Sequence, residues 1–348
     1  MKTSAMKMTK PALAVAIATA IYAQGAAAAD ADMDQRLESL EQRLQYTEER
    51  LKAQDETILA QQESRGITIS GLIEVEASNV DTNGSAAQKD VSAATVEVGI
   101  GADISDAVSA EVLLKYEDDG DDNSTDVFVD TAIITLAPEG SPASFTFGKT
   151  GVPFGVYDTN LVSDPITKDL GDTSDNGVIQ ADFEAGIVAI SAYAYNGDND
   201  GKVDDFGINF GFGFEDAGLS FNLGHSNRLQ EKDVAALAFS AMYEAGPFTV
   251  IAEHVAASDK MADGKEPSAT NFEVGMGTLL GGMASTFAIG YQTTDEANGS
   301  VDLAEKRALA ALSIGIMENT GLAFELKKDT SYTNVDTNTF TAKLSVEF

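Results

Sequence analysis

The sequence predicts an all-β membrane protein: a sixteen-stranded antiparallel transmembrane β-barrel behind an N-terminal α-helical coiled coil. Three observations predict it. The last nine residues alternate, with Phe340, Ala342, Leu344, Val346 and Phe348 on one face and Thr341, Lys343, Ser345 and Glu347 on the other. A strand of period two turns those sets into a greasy side and a wet side. The same period recurs along the chain from Ile67 onward. Finally, no segment approaches the ~18 apolar residues of a membrane helix, so a spanning structure here must be a closed barrel.

The chain starts with Lys2, Lys7 and Lys10, then an apolar stretch from Ala12 to Tyr22, then small residues Ala26 to Ala29. Residues 1–29 therefore read as a secretory signal peptide, too short in its apolar part to span a bilayer. Residues 30–65 read as the coiled coil. Leu37, Leu44, Leu51 and Ile58 repeat every seven residues, and Met33, Leu40, Thr47, Gln54 and Gln61 fill the second seam. That seam turns polar after Leu40, so the coil weakens toward its C-terminal end. At 1.5 Å per residue it would reach roughly 50 Å. It is expected in the periplasm, as a stalk that either joins copies, a homotrimer being the expected assembly, or spaces the barrel from the cell wall.

Residues 66–348 read as the barrel. Strand one sets Ile67, Ile69, Gly71, Ile73 and Val75 against Thr68, Ser70, Glu74 and Glu76, with Leu72 the exception. Strand three alternates Val108 to Tyr116 with Ser109 to Glu117. Strand eight sets Phe206, Ile208, Phe210, Phe212 and Phe214 against Gly and Asn. Runs of this kind fall near 67–78, 92–102, 107–117, 127–137, 143–150, 177–184, 187–196, 204–214, 219–227, 234–243, 247–256, 270–279, 284–293, 306–316, 321–328 and 338–348. Sixteen is an even number, and the connections alternate short and long, as in bacterial barrels. Two features fit less well. There is no Trp for an aromatic girdle, and Lys149 shares parity with Phe145 and Phe147. Lys149 is therefore expected at a rim or beyond a register break.

Lys plus Arg total 22 against 56 Asp plus Glu, a net charge of -34. That balance repels nucleic acid and anionic solutes and attracts cations. Parity puts Glu74, Glu76, Glu97, Glu111, Lys115, Asp182, Glu253, Glu273, Arg307, Glu325, Lys327, Lys343 and Glu347 on the lumen side. Acids dominate that set, and carboxylate rings favour cations. The longest connection, residues 151–176, carries Phe154, Val156, Tyr157, Leu161, Val162, Ile166 and Leu170. Such apolar content suits a segment folded into the lumen and packed on the wall. It is expected to be a constriction presenting Phe154, Asp158, Asp164, Asp169 and Asp172; the alternative is an outer loop capping the barrel. A connection of this length is usually functional.

Three stretches carry a resemblance: Thr68-Ile69-Ser70-Gly71-Leu72-Ile73-Glu74-Val75-Glu76-Ala77-Ser78, the Pro153-Phe154-Gly155 and Ser163-Asp164-Pro165 pair, and Tyr195-Asn196-Gly197-Asp198. With the order of signal, heptad coil and barrel, they are similar to the LbtU-type siderophore porin family. The resemblance implies an outer-membrane barrel that takes up ferric siderophore. Where that family carries Leu-Glu-Leu-Gly-Glu-Thr, this chain has Lys168-Asp169-Leu170-Gly171-Asp172-Thr173, with shorter acids and an added lysine.

Other chemistry finds little footing. Asn196, Asp198, Asp200 and Asp204 match the front of a calcium loop, but Gly207 stands where its bidentate Glu belongs. A solvated Asn/Asp/Gly turn is the plainer reading of that stretch. There is no Cys and only His225 and His254, so neither an enzyme nor a resident cofactor is expected. The expected partners are outer-membrane lipid and a small solute. The expected function is passive, cation-leaning diffusion through the lumen, in the outer membrane of a Gram-negative bacterium. The alternatives are a general cation-selective porin and a non-transport tether between outer membrane and cell wall.

Overall fold

A computed structural model describes residues 66–118, 126–173, 176–197, 201–230, 232–299 and 301–348. The signal peptide and coiled coil expected over residues 1–65 lie outside the described residues. The strands are β1 (Ile67–Thr82), β2 (Gln88–Ser105), β3 (Val108–Glu117), β4 (Phe128–Leu136), β5 (Ala143–Thr150), β6 (Asn176–Ala185), β7 (Val188–Tyr195) and β8 (Asp205–Phe214). They continue as β9 (Leu219–Ser226), β10 (Ala236–Ala245), β11 (Phe248–Ala257), β12 (Ser268–Leu280), β13 (Met283–Asp295), β14 (Lys306–Met317), β15 (Thr320–Thr330) and β16 (Asp336–Glu347). Each pairs antiparallel with its sequence neighbours, and β1 pairs with β16, so the barrel closes. One short helix, α1 (Ile166–Gly171), lies in the connection after β5.

Alternation decides which side faces in. Ile73 opposes Val346 and Val75 opposes Leu344 across the closing seam, all pointing out. Between them Lys343 Nζ meets Glu74 Oε1 at 2.9 Å on the inside. The outer surface exposes Ile69, Ile134, Ile179, Phe206, Leu237, Phe272, Phe287, Ile289 and Leu326 among others. An apolar belt this continuous is a lipid-facing surface. The wall is uneven in height. Strands β3 to β11 span 8 to 10 residues, whereas β12 to β16, β1 and β2 span 11 to 18. A tilted strand of ~9–11 residues suffices to cross a bilayer, so the taller arc projects beyond it.

Local exceptions have local causes. Lys149 keeps outward parity opposite Ala132, the last pair of the β4–β5 ladder. Its Nζ donates to the Val129 carbonyl at 2.5 Å, where the ladder no longer claims that oxygen. Next to it, Gly148 has φ +138 and stands where a Cβ would lie 2.1 Å from the Ala132 carbonyl. At the seam, Gly71 and Phe348 exchange backbone hydrogen bonds of 2.8 and 3.0 Å, and the Phe348 ring lies over the bare Gly71 Cα. An aromatic covering a strand glycine shields backbone that lipid cannot solvate. Phe348→Ala should therefore lower the unfolding stability in detergent by about 1 kcal/mol, read from heat-shifted gel mobility; an unchanged midpoint would mean that the seam is held without the ring.

Candidate functional site: the loop inside the barrel

The chain after β5 does not stay outside the barrel. Its backbone N–H groups need acceptors wherever water is displaced, and the inner wall supplies carboxylates. Val156 N and Tyr157 N donate to Glu253 Oε1 at 2.9 and 3.2 Å. The Thr159 hydroxyl donates to Glu273 Oε2 at 2.6 Å, and Asn160 donates its N–H and its side-chain amide to Glu273 Oε1 at 2.6 and 2.8 Å. Val162 N and Ser163 N donate to Glu325 Oε2, and the Ser163 hydroxyl to Glu325 Oε1. These acids sit on β11, β12 and β15, and each is almost fully buried, at 3%, 0% and 2% exposure. Register puts them on a descending stair, so segment 156–163 runs obliquely down the wall.

The rest of the loop rides higher. Ser240, Glu253, Asn271, Gln292, Arg307 and Asp329 oppose one another in turn across β10 to β15, forming one inward polar row. Helix α1 lies over it. Ile166 N donates to Gln292 Oε1 at 3.0 Å and the Thr167 hydroxyl to Glu253 Oε2 at 2.5 Å. Arg307 bridges both parts, with Nε 2.8 Å from Asp329 Oδ1 and Nη1 3.2 Å from Asp169 Oδ2. Apolar packing completes the seat. Phe154, Ile166 and Leu170 are buried with Val178, Tyr193, Ala238 and Val255, and Leu161 packs on Ala288, Leu309 and Ala311. The wall makes room with small residues. A Cβ on Gly275 would stand 2.9 Å from the Asn160 amide, and one on Gly290 would stand 2.8 Å from Leu161 Cδ1.

The expected lumen residues thus fall into two groups. Glu253, Glu273, Glu325 and Arg307 face in but lie beneath the loop. Glu74, Glu97, Glu111, Lys115, Asp182 and Lys327 face in on uncovered wall. There, Lys115 lies 4.0 Å from Glu97 and 3.2 Å from Glu117. Asp182 accepts from Ser191 at 2.6 Å and from Gln180. Among the loop acids, Asp164 accepts from Lys168 Nζ at 2.9 Å, and Asp169 sits against Arg307. Burial pushes the Asp169 carboxyl above the usual carboxylate range, with Arg307 opposing, and burial pushes Asp158 up as well. Asp172 follows α1, its N–H bonded to the Lys168 carbonyl. Thr159, Asn160, Ser163, Thr167 and Gln292 escape sequence reasoning. On the wall itself, the inward run of Gly275, Ala288, Gly290 and Ala311 is the sequence signal that something covers it.

The calcium-like stretch is only partly described, since Asp198 and Asp200 lie outside the described residues. Asp204 is exposed, while its neighbour Asp205 is buried. Asp205 accepts from Gly197 N at 3.1 Å and meets Arg228 Nη1 at 3.6 Å. Among the described residues no cluster of three acidic or histidine side chains is arranged for a metal.

A closed sixteen-stranded barrel with a connection folded onto its inner wall has the architecture of a porin. The chain belongs to the Gram-negative porin family, whose model matches residues 12–311. Family and fold place it in the outer membrane, among channels rather than enzymes. It is 26% identical over 305 residues to a UPF0422 protein of Coxiella burnetii, covering 77% of this chain and 65% of that one. It is 23% identical to a UPF0422 protein of Legionella pneumophila, covering 76% and 59%. The chain thus spans under two thirds of the length of these relatives. Among solved structures, the outer membrane channel DcaP of Acinetobacter baumannii superposes with TM-score 0.62 at 13% identity, covering 81% and 97% of the two chains. The trimer form of OmpT from Vibrio cholerae gives 0.56 at 11%, covering 81% and 100%. An anion-selective porin from Comamonas acidovorans gives 0.57 at 13%, covering 81% and 99%.

Replacing Glu273 by Leu leaves the Thr159 and Asn160 donors without their acceptor, a loss of about 1–3 kcal/mol. Hydrogen exchange of amides 156–163 should accelerate by about 5- to 150-fold, while amides of β1 and β16 stay as protected as before. Unchanged exchange in the loop would show that Glu273 does not hold it.

Proposed function

We propose that the chain is a passive outer-membrane channel whose lumen is constricted by the 151–176 segment and leans toward cations. One observation supports the charge preference above all. Of the four lumen bases, Lys115, Lys343 and Arg307 each stand beside a carboxylate, which leaves Lys327. Glu76, Glu111, Glu347 and Asp158 have no cation within ion-pair distance among the described residues. A narrow, low-dielectric passage amplifies such an excess. The fold leaves this open, since one neighbour of the same architecture is described as anion-selective.

The solute class we carry forward is ferric siderophore, on the strength of the resemblance in 68–78, 153–155, 163–165 and 195–198. Residues 1–29 act as the signal. Residues 30–65 form a periplasmic coil that joins three copies, in keeping with the trimer form of the OmpT neighbour. Planar-bilayer recording in a salt gradient tests the channel reading. A current with a reversal potential favouring potassium supports it, and block by a ferric siderophore supports the solute. Current without block by any ferric complex would leave a general cation channel, and absence of current would sink the proposal.

Asp158→Lys should lower the potassium-to-chloride permeability ratio about fivefold, the factor that ~1 kcal/mol of charge–charge energy gives; no shift in reversal potential would place Asp158 outside the conducting path. Acid should act in the same direction. Asp158 and Asp169 bind protons above the ordinary carboxylate range, so each loses its negative charge earlier as pH falls. Cation preference should therefore start to decline above pH ~4, with Arg307 then facing one carboxylate fewer. A reversal potential constant down to that pH would contradict this.

A further inference from the structure

Beneath the loop, on the side of the short turns, lies a recess of about 330 Å³. Segment 156–158 roofs it, and the turn-side ends of β6 to β11 wall it. Its size falls at the lower end of the range for small-molecule sites. The space exists because the wall lacks side chains there: a Cβ on Gly213 would meet nothing within 4 Å. Apolar surface comes from Val156, Met242 and Ile251, and charge comes from Asp158, Glu184 and Glu215, with Glu253, already bonded to the loop, at the edge. Among the described residues no Lys, Arg or His lines it. The Asn222 Oδ1 in its wall is shielded from water and has no hydrogen-bond donor among them. Asp158 is the telling group. It projects from the loop into the recess, and no described Lys, Arg or His stands there to balance it.

We propose that this recess binds an amphiphilic organic cation, its ammonium group held between Asp158 and Glu184 and its compact apolar body against Ile251, Met242 and Val156. The proposal rests on the reading of the lumen as a solute path and adds a solute chemistry to it. A quaternary or primary ammonium supplies the missing countercharge, and the apolar walls repay burial of its carbon frame. A bare inorganic cation gains only the first of these, and an anion of similar shape meets four carboxylates. The recess lies past the loop from the long-connection end, so a solute entering there passes the loop before reaching it.

Titration calorimetry on the full chain in detergent tests this, with benzyltrimethylammonium as the probe and tetramethylammonium and benzoate as comparators. Saturable binding of one benzyltrimethylammonium per chain is expected, at least tenfold tighter than tetramethylammonium, with no benzoate binding. Asp158→Asn with Glu184→Gln should weaken it at least tenfold. Gly213→Leu projects into the recess from a position where its Cβ meets nothing within 4 Å and should abolish it, whereas Glu318→Gln on the exposed β14–β15 turn should not. Equal affinity for tetramethylammonium, or binding untouched by Gly213→Leu, would overturn the proposal by showing attraction to general acidity alone. Conductance of the same protein separates the two readings. A channel that conducts but does not bind the probe refutes the site alone, and a barrel that binds it but never conducts refutes the channel.

Discussion

A carboxylate buried in a barrel wall must find donors, and a loop buried in a barrel must find acceptors. Glu253, Glu273 and Glu325 answer both demands at once. Each accepts three hydrogen bonds from segment 156–163 or α1, and bonds to a charged acceptor are stronger than neutral ones. Removing either side of this arrangement leaves the other exposed to a large desolvation cost. The position of the loop, and so the shape of the lumen, follows from that reciprocity.

The barrel divides its labour around its circumference. The arc from β6 to β15 is a seat, with small residues inward, an apolar patch for Phe154, Ile166 and Leu170, and acids committed to backbone N–H groups. The arc from β16 through β5 stays wet and carries ion pairs such as Glu74–Lys343 and Lys115–Glu117. Arg307 stands where the two meet, holding Asp329 on the wall and Asp169 on the loop. The positive charge of Lys115 on β3, Arg307 on β14 and Lys343 on β16 is largely cancelled within these pairs. What remains unbalanced, Lys327 aside, is negative.

Most of the fold was legible because a two-residue period is hard to counterfeit over sixteen segments with alternating short and long connections. Strand ends slipped where pairing outruns apolar alternation. β2 begins at Gln88, four residues before its hydrophobic run, because Gln88 and Lys89 pair with Val80 and Asn79 above the lipid. The inward fold of the loop was legible from Phe154, Leu161, Ile166 and Leu170, which have no business on a solvated tip. Its partners were not. Parity tells which face of the wall Glu253 or Glu273 occupies but not what covers it, and the polar residues Thr159, Asn160 and Ser163 carry no pattern that marks them as donors. Around residue 196, spacing favoured Asp204, yet the strand begins one residue later and turns Asp205 inward to Arg228.

Because the chain has no native cysteine, a single engineered pair reports on the loop without interference. Asn160 and Gly275 face each other closely enough for a disulfide in the Asn160→Cys, Gly275→Cys double variant. The clamped loop predicts that this pair crosslinks spontaneously in intact outer membranes, giving a band of altered mobility that reductant abolishes. Ready labelling of the loop thiol by an impermeant reagent from outside, with no crosslink to the wall, would contradict it.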